Sequence, residues 1–200
     1  MGYSFTNTAA STAAVNNRFV TSVNMANGAY TVANASPTWS GGCLVTATIT
    51  GIGGNDTPGT LTIVGTGVNG QPLTEVLTLV AGGLATSTSV FRTVTSLTQA
   101  GWIIVSTNDT IVVGCAAGNV ACGSQGTLGG VLVNNTVGAA VTIADATRTI
   151  ITIPASQAAG TFYEFGAAGV DFGGRLVVST TSTNDITVFH TSTSPASYSL

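Results

Sequence analysis

Short runs of apolar and β-branched residues alternate with polar turn sequences along the whole chain, and none shows helical periodicity. Thr and Val favour strands, whereas Gly and Asn favour turns. Closely spaced turn sequences of this kind are typical of an all-β sandwich or barrel. The pattern predicts strands at 44–50, 60–64, 73–80, 90–97, 102–105, 110–113, 131–133, 140–143, 149–153, 161–165, 175–179 and 186–189.

Turn residues divide this series of strands into two parts. Asn69-Gly70 is the strongest hairpin signal, and a Gly-rich break covers residues 114–130. We therefore expect two antiparallel β-sandwich (jelly-roll-like) domains with a short N-terminal arm. The expected boundaries are 1–19 for the arm, 20–117 for the first sandwich, 118–124 for a linker and 125–200 for the second sandwich.

One short sequence occurs in both parts. Ser-Thr-Asn-Asp, ending at Asp109 and again at Asp185, precedes a predicted strand each time. An internal duplication would produce this repeat. Convergent turn chemistry is the alternative, and the sequence favours it because the remaining residues align poorly.

Charge is scarce, because charged residues make up 6% of the chain and Lys is absent. Exposed strand edges are normally protected by Lys, Glu or Pro. A subunit that neighbours cover needs less protection, so the composition indicates an assembly component, although a soluble sandwich that tolerates low charge is also consistent with it. The net charge of −3 and four dispersed Arg residues give no face for nucleic acid.

The remaining segments give little sign of targeting or cross-linking. We expect no membrane span, since no apolar run approaches the required length, and no signal peptide in residues 1–17, which lack a basic side chain. The three cysteines argue against a disulfide framework. Cys115 and Cys122 could bridge if oxidised, but buried thiols fit a cytoplasmic product better.

The residues predict no enzyme. His190 is the one histidine, and we expect it at the surface near a strand end; no Gly-x-Ser-x-Gly sequence accompanies it. No sequence feature pairs two carboxylates for glycoside hydrolysis. We expect no catalytic residue, no cofactor and no metal site. A weak calcium site at Asp56, Asp109 or Asp185 stays an alternative that no sequence feature supports.

Two single residues carry structural expectations. Period-2 alternation places Glu75 on the same face as Leu73 and Leu77. Either a bulge turns this carboxylate outward or Arg92 pairs with it, and we expect Glu75→Ala to lower thermal stability. Trp102, at the head of an apolar run, is expected in the core.

Two stretches resemble β-sandwich modules of tailed-phage virion proteins. Residues 59–79, GTLTIVGTGVNGQPLTEVLTL, followed by Phe91-Arg92-Thr93-Val94, resemble modules with a GTDxNGxxLTE sequence and a Phe-[Lys/Arg]-Thr-Val strand. Gly67 stands where these modules often have Asp. Residues 128–135, LGGVLVNN, are similar to small sandwich modules of phage structural proteins, including capsid decoration and fibre-like components.

The resemblance implies a bacteriophage virion structural protein, and we expect a capsid decoration (cement) protein that bridges shell subunits through many repeated contacts. The expected partners are the major capsid protein or other virion proteins, with a homo-oligomer, preferably a trimer. The expected location is the outer surface of the particle, after synthesis in the bacterial cytoplasm. Candidate interface residues are Tyr3, Phe5 and Trp39. Two alternatives stay open: a tail, baseplate or head-fibre component, and a carbohydrate-binding adhesion module.

Overall fold

The computed structural model describes the backbone of residues 4–8 and describes residues 14–37, 41–51, 56–68, 70–103, 105 and 109–192 in full. Every regular element in these residues is a β-strand, and all strand pairs are antiparallel, so the predicted all-β class is confirmed. In chain order the strands are β1 (Ser4–Thr8), β2 (Val15–Asn24), β3 (Ala29–Tyr30), β4 (Cys43–Thr50), β5 (Thr60–Gly67), β6 (Pro72–Thr78), β7 (Leu84–Ala100), β8 (Thr110–Cys115), β9 (Asn119–Cys122), β10 (Gly126–Val133), β11 (Val141–Ala144), β12 (Thr149–Ile153), β13 (Phe162–Glu164), β14 (Val170–Phe172), β15 (Leu176–Ser179) and β16 (Ile186–Ser192).

The chain forms two compact units. Ala14–Ala117 make up the first unit, and β1 joins the residues from Gly118 onward in the second unit. The predicted arm and linker differ from this division. β1 pairs with β16, and β9, inside the predicted linker, pairs with β15. Pairing satisfies backbone donors and acceptors that an arm or a linker would leave to water.

The first unit contains one continuous sheet with the order β2-β8-β4-β7-β5-β6, and β3 also pairs with β7. The long strand β7 pairs with β4 through its first half and with β5 through its second half. Buried side chains from the strands on both sides of β7 form a single hydrophobic core. The sheet therefore encloses its own core, with β2 and β6 as its edge strands.

The second unit is built from two sheets. One has the order β1-β16-β10-β13, with β14 also paired to β10, and the other has the order β12-β11-β15-β9. Buried residues of both sheets, among them Leu128, Ile143 and Leu176, form one core. Two sheets that share a core form a β-sandwich.

Eleven of the twelve predicted strands are present, but the sequence pattern missed five of the strands that the structure has, β1, β2, β3, β9 and β14. The hairpin around Gly70 is confirmed, since β5 and β6 pair from Thr60 with Thr78 to Thr66 with Pro72. The predicted strand 102–105 is wrong, because Ile103 forms only an isolated bridge with Thr57. Its apolar side chains at 103 and 105 are exposed, so their sequence signal came from surface residues and not from a buried strand.

Candidate functional site

Of the three predicted interface residues, the structure describes only the backbone of Phe5. Tyr3 and Trp39 lie outside the described residues. Phe5 belongs to β1, where its backbone lies opposite Phe189 of β16. The role of all three residues at an interface stays a prediction.

An aromatic pair lies on the second unit beside this strand. The rings of Phe162 and Phe189 meet edge to face with centroids 5.9 Å apart, and the Phe162 side chain is 51% exposed. A Cβ atom at Gly130 would come within 2.6 Å of the Phe162 ring. Gly130 thus allows the exposed ring of Phe162, on the edge strand β13, to lie close to the backbone of β10.

The first unit also exposes apolar side chains. Val76 lies on the edge strand β6 and is 59% exposed. Further exposed aliphatic residues follow β6 or lie near the 103–105 segment: Val80, Leu84, Ile103 and Val105. Single exposed apolar residues are ordinary, but apolar residues on an unpaired strand edge favour association with another chain.

Glu75 is neither turned outward by a bulge in β6 nor paired with Arg92, and it bonds to β7 instead. Its Oε1 atom accepts hydrogen bonds from Thr88 N at 2.7 Å and Thr88 Oγ1 at 3.1 Å, and its Oε2 atom accepts one from Ser89 N at 2.9 Å. Burial alone would raise the pKa of Glu75, but these hydrogen bonds lower it below its usual value. The carboxylate therefore takes the place of a ladder partner for β7, which is a structural role.

His190 is buried, contrary to the expectation of a surface residue, with 5% exposure. It hydrogen bonds with Cys122, which also contacts Ser124. Burial opposes ionisation of the Cys122 thiol, but the hydrogen bonds with His190 and Ser124 outweigh it and lower the pKa to about 7. A Cys-His pair can supply a nucleophile and a base; here both side chains are almost fully buried, which restricts access to a substrate.

The bridge between Cys115 and Cys122 that oxidation would allow is not formed, and Cys115 contacts Cys43. Both thiols lie in the core of the first unit on neighbouring strands, and both are free. The hydrogen bond with Cys115, together with burial, raises the pKa of Cys43 far above its usual value. Both cysteines are therefore core side chains, and the Cys43 thiol has little tendency to ionise.

Two carboxyl groups come together in the first unit. Asp109 is 0% exposed, and its carboxyl faces that of Asp56. Burial and the Asp56 carboxyl raise the pKa of Asp109. Sequence reasoning named both residues separately but missed their proximity, because they lie far apart along the chain.

The described residues contain no group of three or more His, Cys, Asp or Glu side chains arranged to hold a metal ion. In the same part of the chain, no helix is both long enough and apolar enough to cross a membrane. The chain matches no protein-family model, no curated protein and no solved structure.

Proposed function

We propose that the protein is a bacteriophage virion structural component, and more specifically a capsid decoration protein that bridges and stabilises shell subunits. The observation that carries the proposal is the exposure of apolar side chains on the edge strands, Val76 on β6 and Phe162 on β13. A neighbour in an assembly would cover such edges and gain from burying them.

The scarcity of charge supports the same proposal. With 6% charged residues and no Lys, the surface has little electrostatic repulsion against close neighbours. Many weak contacts of this kind add up when a subunit binds a repeating lattice. The resemblance of residues 59–79 to phage virion modules is the reason for proposing a phage particle as that lattice.

The deciding experiment is the copy number of the protein in purified particles, measured by quantitative mass spectrometry against the major shell protein. Decoration predicts a ratio near one to one or a simple fraction set by the lattice. A few copies per particle would instead support a tail, baseplate or head-fibre component. Absence from the particle would overturn the virion proposal.

A pair of variants on β13 tests whether the exposed edge makes the contact. Phe162→Ser removes the ring from the surface, and Glu164→Gln is the matched control because Glu164 is also exposed on this strand. We expect Phe162→Ser to lower occupancy on the particle by about tenfold, which corresponds to losing one well-packed aromatic contact. Equal occupancy of the two variants would remove β13 from the contact surface.

We also propose that the free protein is a trimer. Light scattering coupled to size-exclusion chromatography would then give three times the chain mass of 19.8 kDa. A monomer mass would mean that its contacts form only on the particle.

A further inference from the structure

Two loops of the first unit meet at Asp56 and Asp109. Thr50 at the end of β4 pairs with Thr110 at the start of β8, which places Asp109 beside the chain that leaves β4. The isolated bridge between Thr57 and Ile103 joins the same two segments, with N–O distances of 2.9 and 3.1 Å. Asp56 Oδ1 also accepts a hydrogen bond from Val105 N at 2.5 Å. The two aspartates are therefore held by backbone contacts.

Asp109 lacks the donors that a buried carboxylate needs. Its residue is 0% exposed, and neither of its carboxylate oxygens accepts a hydrogen bond from a donor group in the described part of the chain. Its backbone oxygen accepts a hydrogen bond from Met25 N at 3.0 Å, but its carboxyl faces the Asp56 carboxyl. Two ionised carboxylates in such contact repel each other in a buried site, so a positive charge must lie between them.

Among the described residues, no cationic side chain forms an ion pair with either aspartate. Lys is absent from the sequence, and the one ion pair among the described residues joins Arg148 to Asp145 in the second unit. The remaining sources of positive charge are a proton shared by the two carboxyl groups or a bound cation.

We propose that Asp56 and Asp109 form a binding site for a divalent metal cation, for which Ca²⁺ is the best match. Ca²⁺ prefers carboxylate and carbonyl oxygens and accepts irregular loop geometry, whereas Mg²⁺ demands a near-octahedral arrangement. Two carboxylates balance its charge, and water can complete the coordination. Because the site has only two acidic ligands, we expect a dissociation constant on the order of 10⁻⁴ to 10⁻³ M.

This inference departs from the sequence expectation of no metal site, and it does not depend on the proposed virion function. Asp185 offers an internal comparison, since it follows the same Ser-Thr-Asn sequence. Its Oδ1 atom accepts a hydrogen bond from Asn134 Nδ2 at 2.8 Å. Asp185 thus already has a donor within the protein and serves as the matched control.

The test is thermal unfolding of the full chain at neutral pH in EDTA or in about 10 mM CaCl₂, with NaCl added to equal ionic strength. Trp102 lies in the first unit, and Trp39 falls within the chain range 14–117 of that unit, so tryptophan fluorescence reports its unfolding. We expect Ca²⁺ to raise the melting temperature of the first unit by about 5–10 °C. Asp185→Asn should keep this shift, and Asp109→Asn should lose it.

Asp56→Asn provides a second variant with the same expected loss if Asp109→Asn fails to fold. Isothermal titration of the unmodified protein with CaCl₂ gives a direct measure, and one saturable site is expected. No saturable heat together with equal melting temperatures in Ca²⁺ and EDTA would overturn the proposal and assign a shared proton to the pair. A Ca²⁺ shift that both aspartate variants at 56 and 109 retain would also overturn it.

Discussion

Asp109 and Asp185 hold corresponding places in the two units, yet their surroundings differ. Each precedes a strand that lies between the first strand of its unit and a long strand: β8 lies between β2 and β4, and β16 lies between β1 and β10. At Asp185 the backbone oxygen accepts hydrogen bonds from Asn134 N and Asn135 N, and the carboxylate accepts one from Asn134 Nδ2. At Asp109 the backbone oxygen has a partner, whereas the carboxylate accepts no hydrogen bond from the described part of the chain and faces the Asp56 carboxyl.

The repeated Ser-Thr-Asn-Asp sequence precedes similar strands but differs in the role of its aspartate. The two closing strands have matching neighbours, but the first unit has one sheet and the second has two, so convergent turn chemistry stays the favoured interpretation of the repeat. The same aspartate also serves different purposes. In the second unit it stabilises the turn through a hydrogen bond, and in the first unit it is buried with no donor to its carboxylate among the described residues.

The largest expected effect comes from the asparagine beside Asp185. Asn184 is 2% exposed, and its side chain accepts a hydrogen bond from Gly138 N at 2.7 Å and donates to Ala139 O and Thr180 Oγ1. Asn184→Ala would leave several buried polar groups without partners. We expect it to lower the free energy of unfolding of the second unit by about 3 kcal/mol.

Chemical denaturation followed by circular dichroism checks this prediction. Because a two-unit protein need not unfold in one step, the transition of the second unit is fitted separately. The control is Asn135→Ala, a substitution of the same kind at an exposed residue of the same unit, which should cost less than about 0.5 kcal/mol. Equal losses for the two variants would contradict the role given to the Asn184 side chain.

The sequence predicted the strands well and the sites poorly, for a physical reason. Alternation and turn residues are local signals, so the β5–β6 hairpin and the inward face of Glu75 could be read directly from the chain. The partners of Glu75 could not, because Thr88 and Ser89 reach it only through the path of β7 around the core.

The same limit applies to the side-chain pairs. Asp56 meets Asp109, and Cys122 meets His190, because strand order brings distant segments together. Nothing local in the sequence encodes that order. The Gly-rich stretch after residue 114 likewise predicts a linker, although part of it is β9, whose partner β15 lies far along the chain.

A moderate effect is expected at Glu75, which accepts backbone hydrogen bonds in the first unit as Asp145 does in the second. Glu75→Gln keeps the size of the side chain but turns an amide NH₂ group toward one of the two backbone donors. We expect a loss of about 1–2 kcal/mol in the first unit at pH 7, measured by urea unfolding with tryptophan fluorescence. Glu164→Gln, at an exposed position, is the control and should be neutral.

The pH dependence of the free energy of unfolding distinguishes the contribution of Glu75 from that of Asp145. Hydrogen bonds from Thr147, Arg148 and Gly173 lower the pKa of Asp145 from 3.8 to about 2, although burial opposes the shift. A lowered pKa stabilises the folded protein above the ordinary value, and this contribution is lost as pH falls through the folded value. The Glu75 contribution should therefore decline below the ordinary value of 4.5, and that of Asp145 between 3.8 and about 2. A Glu75→Gln loss that stays constant down to pH 3 would count against an ionised Glu75.

The smallest effect on stability is expected at the cysteines, which differ instead in the reactivity of their thiols. Cys122 has a pKa of about 7 and is 6% exposed, whereas Cys43 and Cys115 are 0% exposed. Because the thiolate is the reactive form, iodoacetamide should label Cys122 first, and about tenfold faster at pH 8 than at pH 6. Cys43 and Cys115 should react only after unfolding, and Cys122→Ser should abolish labelling of the folded protein. Mass spectrometry of timed samples identifies the labelled residue. Early labelling of Cys43 would contradict this prediction, because it would mean that the core of the first unit opens more readily than the surroundings of Cys122 and His190 in the second unit.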